Sequence, residues 1–179
     1  MIKYNLPMNL TREILKEHGS KQAHKIARYA SSSPLTFKLL IDTYLTGPYR
    51  VTQRASWPIS IVGEAHPKLI RPHLKKLLDF MVRDDVHDAV KRNTMRVLQF
   101  VEIPKRNHAQ VIDICFELLQ SKREAVAIKC FAMTVLSRVI DDKPELQREL
   151  KIILEDQLPY STAAFKSRAT KLIKRLPGV

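Results

Sequence analysis

Five of the ten prolines in this 179-residue chain, Pro34, Pro67, Pro104, Pro144 and Pro177, fall at spacings of 33, 37, 40 and 33 residues, and each closes a long amphipathic segment. A recurrence of that length marks a repeated supersecondary unit. Proline lacks the N–H that a helix interior needs but fits the first helical turn, so each of the first four can stop one helix and help open the next. Between consecutive prolines lies a second break, at "TGPY" 46–49, "RDD" 83–85, "QSKRE" 120–124 and "LPYS" 158–161. Each unit is therefore expected to be two helices.

The first helix of each pair carries an apolar stripe in steps of three and four residues: Phe37, Leu40, Ile41 and Tyr44; Ile70, Leu74, Leu77, Leu78 and Met81; Val111, Ile112, Cys115, Leu118 and Leu119; Leu146, Leu150, Ile153 and Leu154. That spacing predicts one buried face per helix. The second helices align on smaller or β-branched residues: Val51, Ala55, Ile59 and Val62; Val90, Thr94, Val97 and Val101; Val126, Cys130 and Met133; Phe165, Ala169, Leu172 and Ile173. Small residues there let a neighbouring helix come close. Ser121 with Glu124, and Asp142 with Glu145, have capping-box spacing, and Asp85 with Asp88 is a weaker version. Asp84, Asp85 and His87 are read as marking a helix start rather than an acid–base group.

One helical hairpin has two apolar faces and cannot bury both alone, whereas stacked copies bury them mutually and leave the terminal copies polar outside. With a shorter leading pair at 9–17 and 21–31, the expectation is an all-α chain: a right-handed α-solenoid of about five stacked antiparallel pairs in one domain, 1–179. The pairs run approximately over 9–33, 34–66, 67–103, 104–143 and 144–177.

The stretch "RDDVHDAVKRNTMRVL", Arg83 to Leu98, resembles the HEAT repeat: an acidic turn, then valine and a basic residue, then a small residue and a leucine on the inner helix. "SKREAVAIKCFAMTVL" and "STAAFKSRATKLIKRL" repeat the outline, and the resemblance covers nearly the whole chain. Lys91 and Lys166 stand where that family usually has its basic residue, while Thr52 and Ala127 depart from it. The resemblance implies a curved, rigid surface offered to a partner.

Thirty-one lysines and arginines against 18 aspartates and glutamates give a net charge of +13, a long-range positive potential suited to an acidic protein or a polyanion. No run reaches the roughly 18 apolar residues of a membrane span, and "MIKYNLPMNL" lacks the features of a signal peptide, so a cytoplasmic location is expected and no membrane partner. Cys115 and Cys130 lie in apolar helical patterns without metal spacing and are read as reduced core thiols. No GxSxG, GxxxxGK[ST] or GxGxxG occurs, four glycines leave little for a phosphate cradle, and the six histidines show no ligand spacing. The expectation is no enzyme, no catalytic residue, no metal, no cofactor and no small-molecule substrate.

The sole tryptophan, Trp57, precedes Pro58 inside a segment that reads as helix, "YRVTQRASWPIS". Aligned across repeats, it falls in register with Arg96 and Lys171, and Arg54 with Lys129 and Arg168 one turn earlier. If second helices line the concave face, Arg54, Trp57, Arg92, Arg96, Lys129, Arg168 and Lys171 form a basic groove with one aromatic. The bland alternatives are Trp57 packed between repeats and lysines on solvated faces.

Two readings follow. The first is a non-catalytic scaffold binding an acidic protein or peptide; the second is nucleic-acid binding through phosphate contacts and stacking. A third rests on resemblance to DNA glycosylases for alkylated bases, which are built of HEAT-like pairs with concave tryptophans and a catalytic aspartate. Here one tryptophan stands alone and the nearest following carboxylate is Glu64.

Overall fold

Among residues 8–176, which the computed structural model describes, all regular structure is helical: α1 (Leu10–Lys16), α2 (Ser20–Ala30), α3 (Pro34–Thr46), α4 (Tyr49–Ala65), α5 (Pro67–Ile70), α6 (Leu74–Met81), α7 (Asp88–Leu98), α8 (His108–Gln120), α9 (Val126–Val139), α10 (Pro144–Gln157) and α11 (Ala163–Ile173). Short 3-10 turns, Arg71–His73 and Lys105–Asn107, precede α6 and α8. Pro34, Pro67 and Pro144 occupy the first turns of α3, α5 and α10, and Pro104 sits just before the 3-10 turn that leads into α8. Pro177 lies outside the described residues. The four weaker breaks all fall between helices.

The chain divides into two compact units, Met1–Val101 and Glu102–Val179. In the first, α4 is the hub, packing against α1, α2, α3, α5 and α7. Its buried residues are mostly small or β-branched, Val51, Thr52, Ala55, Ser56, Ile59, Ser60, Val62 and Gly63, and they let neighbours approach on more than one side. Gly63 shows how close: a Cβ built there would lie 2.9 and 3.0 Å from the two methyls of Val97 on α7. A buried polar contact sits within this seam, where Asn93 donates to the Ser56 hydroxyl at 2.8 Å. The stripes of α3 and of α5–α6 are buried to the last residue, as the periodicity predicts.

The second unit is organised around α9, which packs against α8, α10 and α11. The α8 stripe is buried in full. Val126, the first residue of α9, is exposed. The outer helices bury less than their periodicity predicts: Leu150 and Leu154 on α10 and Phe165 and Ala169 on α11 are buried, while Leu146, Ile153, Leu172 and Ile173 are half-buried. The reason is geometric, since no further helix among the described residues covers their outer side.

The capping expectations are corrected. Ser121 ends α8 and accepts from the Arg123 amide at 3.2 Å within the loop, because α9 starts later than the box requires and has Ala125 as its N-cap. Asp142 pairs with Lys143 at 2.9 Å, and Lys143 is the N-cap of α10. Asp85 is held by Arg83 through two contacts of 2.8 and 2.6 Å, whereas His87 caps α7 by accepting from the Ala89 amide at 2.9 Å. A complete box forms instead at α3, between Ser33 and Thr36, where threonine takes the place usually held by glutamate or glutamine.

Tyr44 carries the largest fully buried side chain, tilted against Phe80 with ring centroids 4.9 Å apart. Its hydroxyl has no hydrogen-bond partner. Burial pushes its pKa far above the phenol range; Thr94, near the hydroxyl without forming a bond of normal geometry, offsets this only in part. An unpaired buried hydroxyl costs about 1–3 kcal/mol of desolvation. Tyr44→Phe is therefore expected to leave stability unchanged or raise it by about 1 kcal/mol, and a urea midpoint clearly below wild type would contradict this.

Candidate functional site

Four of the seven candidate residues, Arg54, Trp57, Arg92 and Arg96, belong to the first unit, and Lys129, Arg168 and Lys171 to the second. On α4, the Arg54 guanidinium donates to the Leu15 carbonyl at 3.0 Å, in the last turn of α1. One turn on, Trp57 meets His18 edge to face, with ring centroids 6.0 Å and planes 68° apart. Both side chains are half-buried and close the C-terminal end of α1, where helix carbonyls lack intrahelical partners. Helix α4 runs unbroken through Pro58. On α7, Arg96 pairs with Glu64 near the end of α4 at 2.6 Å, whereas Arg92 is exposed. An exposed ion pair of that kind contributes at most about 1 kcal/mol.

In the second unit, Arg168 reaches from α11 to α9. Its Nη1 donates to the Cys130 carbonyl at 3.0 Å and to Thr134 Oγ1 at 3.2 Å, and its guanidinium carbon stands 5.7 Å from the Phe131 ring centroid. Lys129 is half-buried, with Nζ 3.4 Å from Gln157 Oε1. Burial holds its pKa below the usual lysine range, and Glu124 opposes the shift. Lys171 is exposed. Of the seven, Arg92 and Lys171 present their charge outward, and the other five engage side chains or carbonyls of this chain.

Lys129 also lines a groove of about 610 Å³ with Lys122, Ile152, Asp156, Gln157 and Tyr160. The periodicity did not single out Ile152 or Tyr160. The available signal for Ile152 is that it is apolar yet lies off the α10 stripe; for Tyr160, that it is an aromatic set in the break "LPYS".

The other polar residues weighed for chemistry hold the fold. His24 bonds the Ser20 carbonyl at 2.8 Å, His108 bonds the Ile103 carbonyl at 2.9 Å, and His73 stands edge-on to Phe37 at 5.7 Å. Cys115 and Cys130 are free, buried thiols; burial pushes both pKa values up, which makes them poor nucleophiles. The described residues contain no group of three or more His, Cys, Asp or Glu side chains able to hold a metal ion, and no helix long and apolar enough to cross a membrane.

Helices that alternate along the chain, break at spaced prolines and turn small-residue faces toward their neighbours define a helical-repeat protein. The chain matches the HEAT repeat domain over residues 10–176 and belongs to that family. No curated protein and no solved structure matches it.

Proposed function

We propose that this chain is a cytoplasmic, non-catalytic HEAT-repeat scaffold that binds an acidic protein or peptide. It acts as one domain, with helical pairs running approximately over 9–33, 34–66, 67–103, 104–143 and 144–177. HEAT repeats commonly serve as protein-interaction scaffolds, and this family is typically non-catalytic. The observation that carries the reading is the charge: a net +13 on such a frame, with Arg92 and Lys171 exposed. Potential of one sign over a surface speeds encounter with the opposite charge and selects against like-charged partners.

Nucleic acid is the second reading, favoured by one feature of α11 and the residues that follow it. Lys166, Lys171, Lys174 and Arg175 are exposed there, and no acidic residue occurs from Gln157 to Val179. The glycosylase reading finds no support in Trp57, which is engaged with His18 at the end of α1.

Fluorescence anisotropy with a labelled oligoglutamate peptide, duplex DNA, single-stranded DNA and RNA, over a range of salt, separates the readings. The informative variant is Arg92→Glu, Lys171→Glu. Arg96 is left in place because a glutamate there would face Glu64. The expected result is peptide binding that weakens about tenfold in the double variant, with nucleic acid binding weak near physiological salt. Submicromolar nucleic-acid affinity at that salt, falling steeply as salt rises and lost on charge reversal, would make nucleic acid the function.

A further inference from the structure

We infer that the groove lined by Lys122, Lys129, Ile152, Asp156, Gln157 and Tyr160 is a docking site for a short peptide segment that places a carboxylate beside a large apolar side chain. This deepens the scaffold reading and rests on it. The groove's volume, about 610 Å³, falls in the range of real ligand sites. Its lining is unusual for this unit. The large apolar side chains left exposed there are Val126 at 37%, Ile152 at 54% and Tyr160 at 93%, and two of these three line the groove. Tyrosine is a preferred anchor at protein interfaces because it brings large, stiff contact area with a polar tip.

The charge beside that apolar surface is answered only in part, by Glu124, which acts on Lys129 through space and does not outweigh its burial. Lys129 has as its hydrogen-bond acceptor a neutral amide oxygen at the long distance of 3.4 Å, and burial has already removed part of its water. A partner carboxylate would replace that long contact to a neutral oxygen with a shorter ion pair in which donor and acceptor are both charged. Exposed Lys122 adds a second cation at the same groove. The wall is preorganised: Gln157, besides meeting Lys129, donates to the Leu119 carbonyl at 3.0 Å and so ties the end of α10 to the last turn of α8. Asp156 decides the class of ligand. A nucleic acid, charged at every phosphate, would meet its carboxylate, whereas a peptide can set one carboxylate toward the lysines, an apolar side chain on Ile152 and Tyr160, and a backbone N–H toward Asp156.

Two fluorescein-labelled, end-blocked peptides test this on the full chain, one with leucine and phenylalanine set among glutamates and one with alanine at both apolar positions. Ile152→Ser and Tyr160→Ser change exposed side chains, Lys129→Met removes charge at similar length, and circular dichroism checks that each variant stays helical. The first peptide is expected to bind wild type at least about tenfold more tightly than the second, and each variant to weaken it by about tenfold. Should Lys129→Met fail to fold, the two serine variants decide. Equal affinity for both peptides, or undiminished binding by both serine variants, overturns the groove; the scaffold reading survives if Arg92→Glu, Lys171→Glu still weakens peptide binding by about tenfold. Absence of binding of either peptide to wild type overturns both. A single-stranded oligonucleotide whose affinity falls with the serine variants would overturn the peptide assignment in favour of nucleic acid.

Discussion

Gly63→Val is expected to lower stability by about 3 kcal/mol, the upper range for forcing extra carbon into a packed interior. The position is a point of close approach between α4 and α7. A Cβ alone would stand 2.9 and 3.0 Å from the Val97 methyls and 3.4 Å from the end of Ile70, and valine adds two methyls beyond it. Val97 is buried and β-branched on a helix, where one χ1 rotamer dominates, so it has nowhere to turn. Gly63→Ala sets two effects against each other. Alanine gains about 1 kcal/mol of helix propensity, and the clash costs at least that much. A double-mutant cycle resolves them: with Val97→Ala the clash disappears, so Gly63→Ala should turn from neutral or destabilising to stabilising, with a coupling of about 1 kcal/mol or more. Urea denaturation followed by circular dichroism gives all four values. A Gly63→Val midpoint equal to wild type would mean that the α4–α7 seam is looser than the geometry described here.

Phe165→Ala is expected to cost about 3–5 kcal/mol, because it empties a fully enclosed aromatic site. The loss is concentrated because α11 has few other anchors. Phe165 at 1% exposure and Ala169 at 0% are its only fully buried side chains, joined by the Arg168 bonds to Cys130 and Thr134. With the phenyl ring gone, the remaining contacts hold the helix weakly, and it should open before the rest of the second unit. Hydrogen exchange reads this directly as faster exchange of α11 amides with α8 and α9 still protected. Uniform acceleration throughout the unit would mean that α11 is part of one cooperative block. Arg168→Met is expected to give a smaller version of the same pattern, since it removes two hydrogen bonds and the contact with Phe131 but leaves the apolar seat intact.

Helix existence, order and buried faces were legible in the sequence. The stripes of α3, α6, α7 and α8 predict burial correctly because a 3.6-residue period reports which side of a helix is apolar, a property each helix carries within itself. The proline breaks were legible for the same reason: they act on the backbone at their own position. Caps were less so. Ser121 and Asp142 have the right spacing but the wrong neighbours in the chain, since a shift of a few residues in where a helix begins reassigns its cap.

The candidate site divides along the same line. Sequence alone determined a basic HEAT-repeat chain and which cations share a register on the second helices. What those cations do was decided by tertiary structure. Arg54 is occupied by Leu15, 39 residues away; Arg96 by Glu64, 32 away; Arg168 by Cys130, 38 away. Each separation is about one repeat, so the partner lies on a neighbouring helical pair, and no pattern within a single helix announces it. The groove beside Lys129 was hidden for a related reason. Ile152 and Tyr160 are apolar residues outside the predicted stripes, and they became a surface only when α10 and the turn after it met the end of α8 and the start of α9. Periodicity is a property of one helix, whereas a charge or a groove acquires its role from side chains that folding brings in from a repeat away.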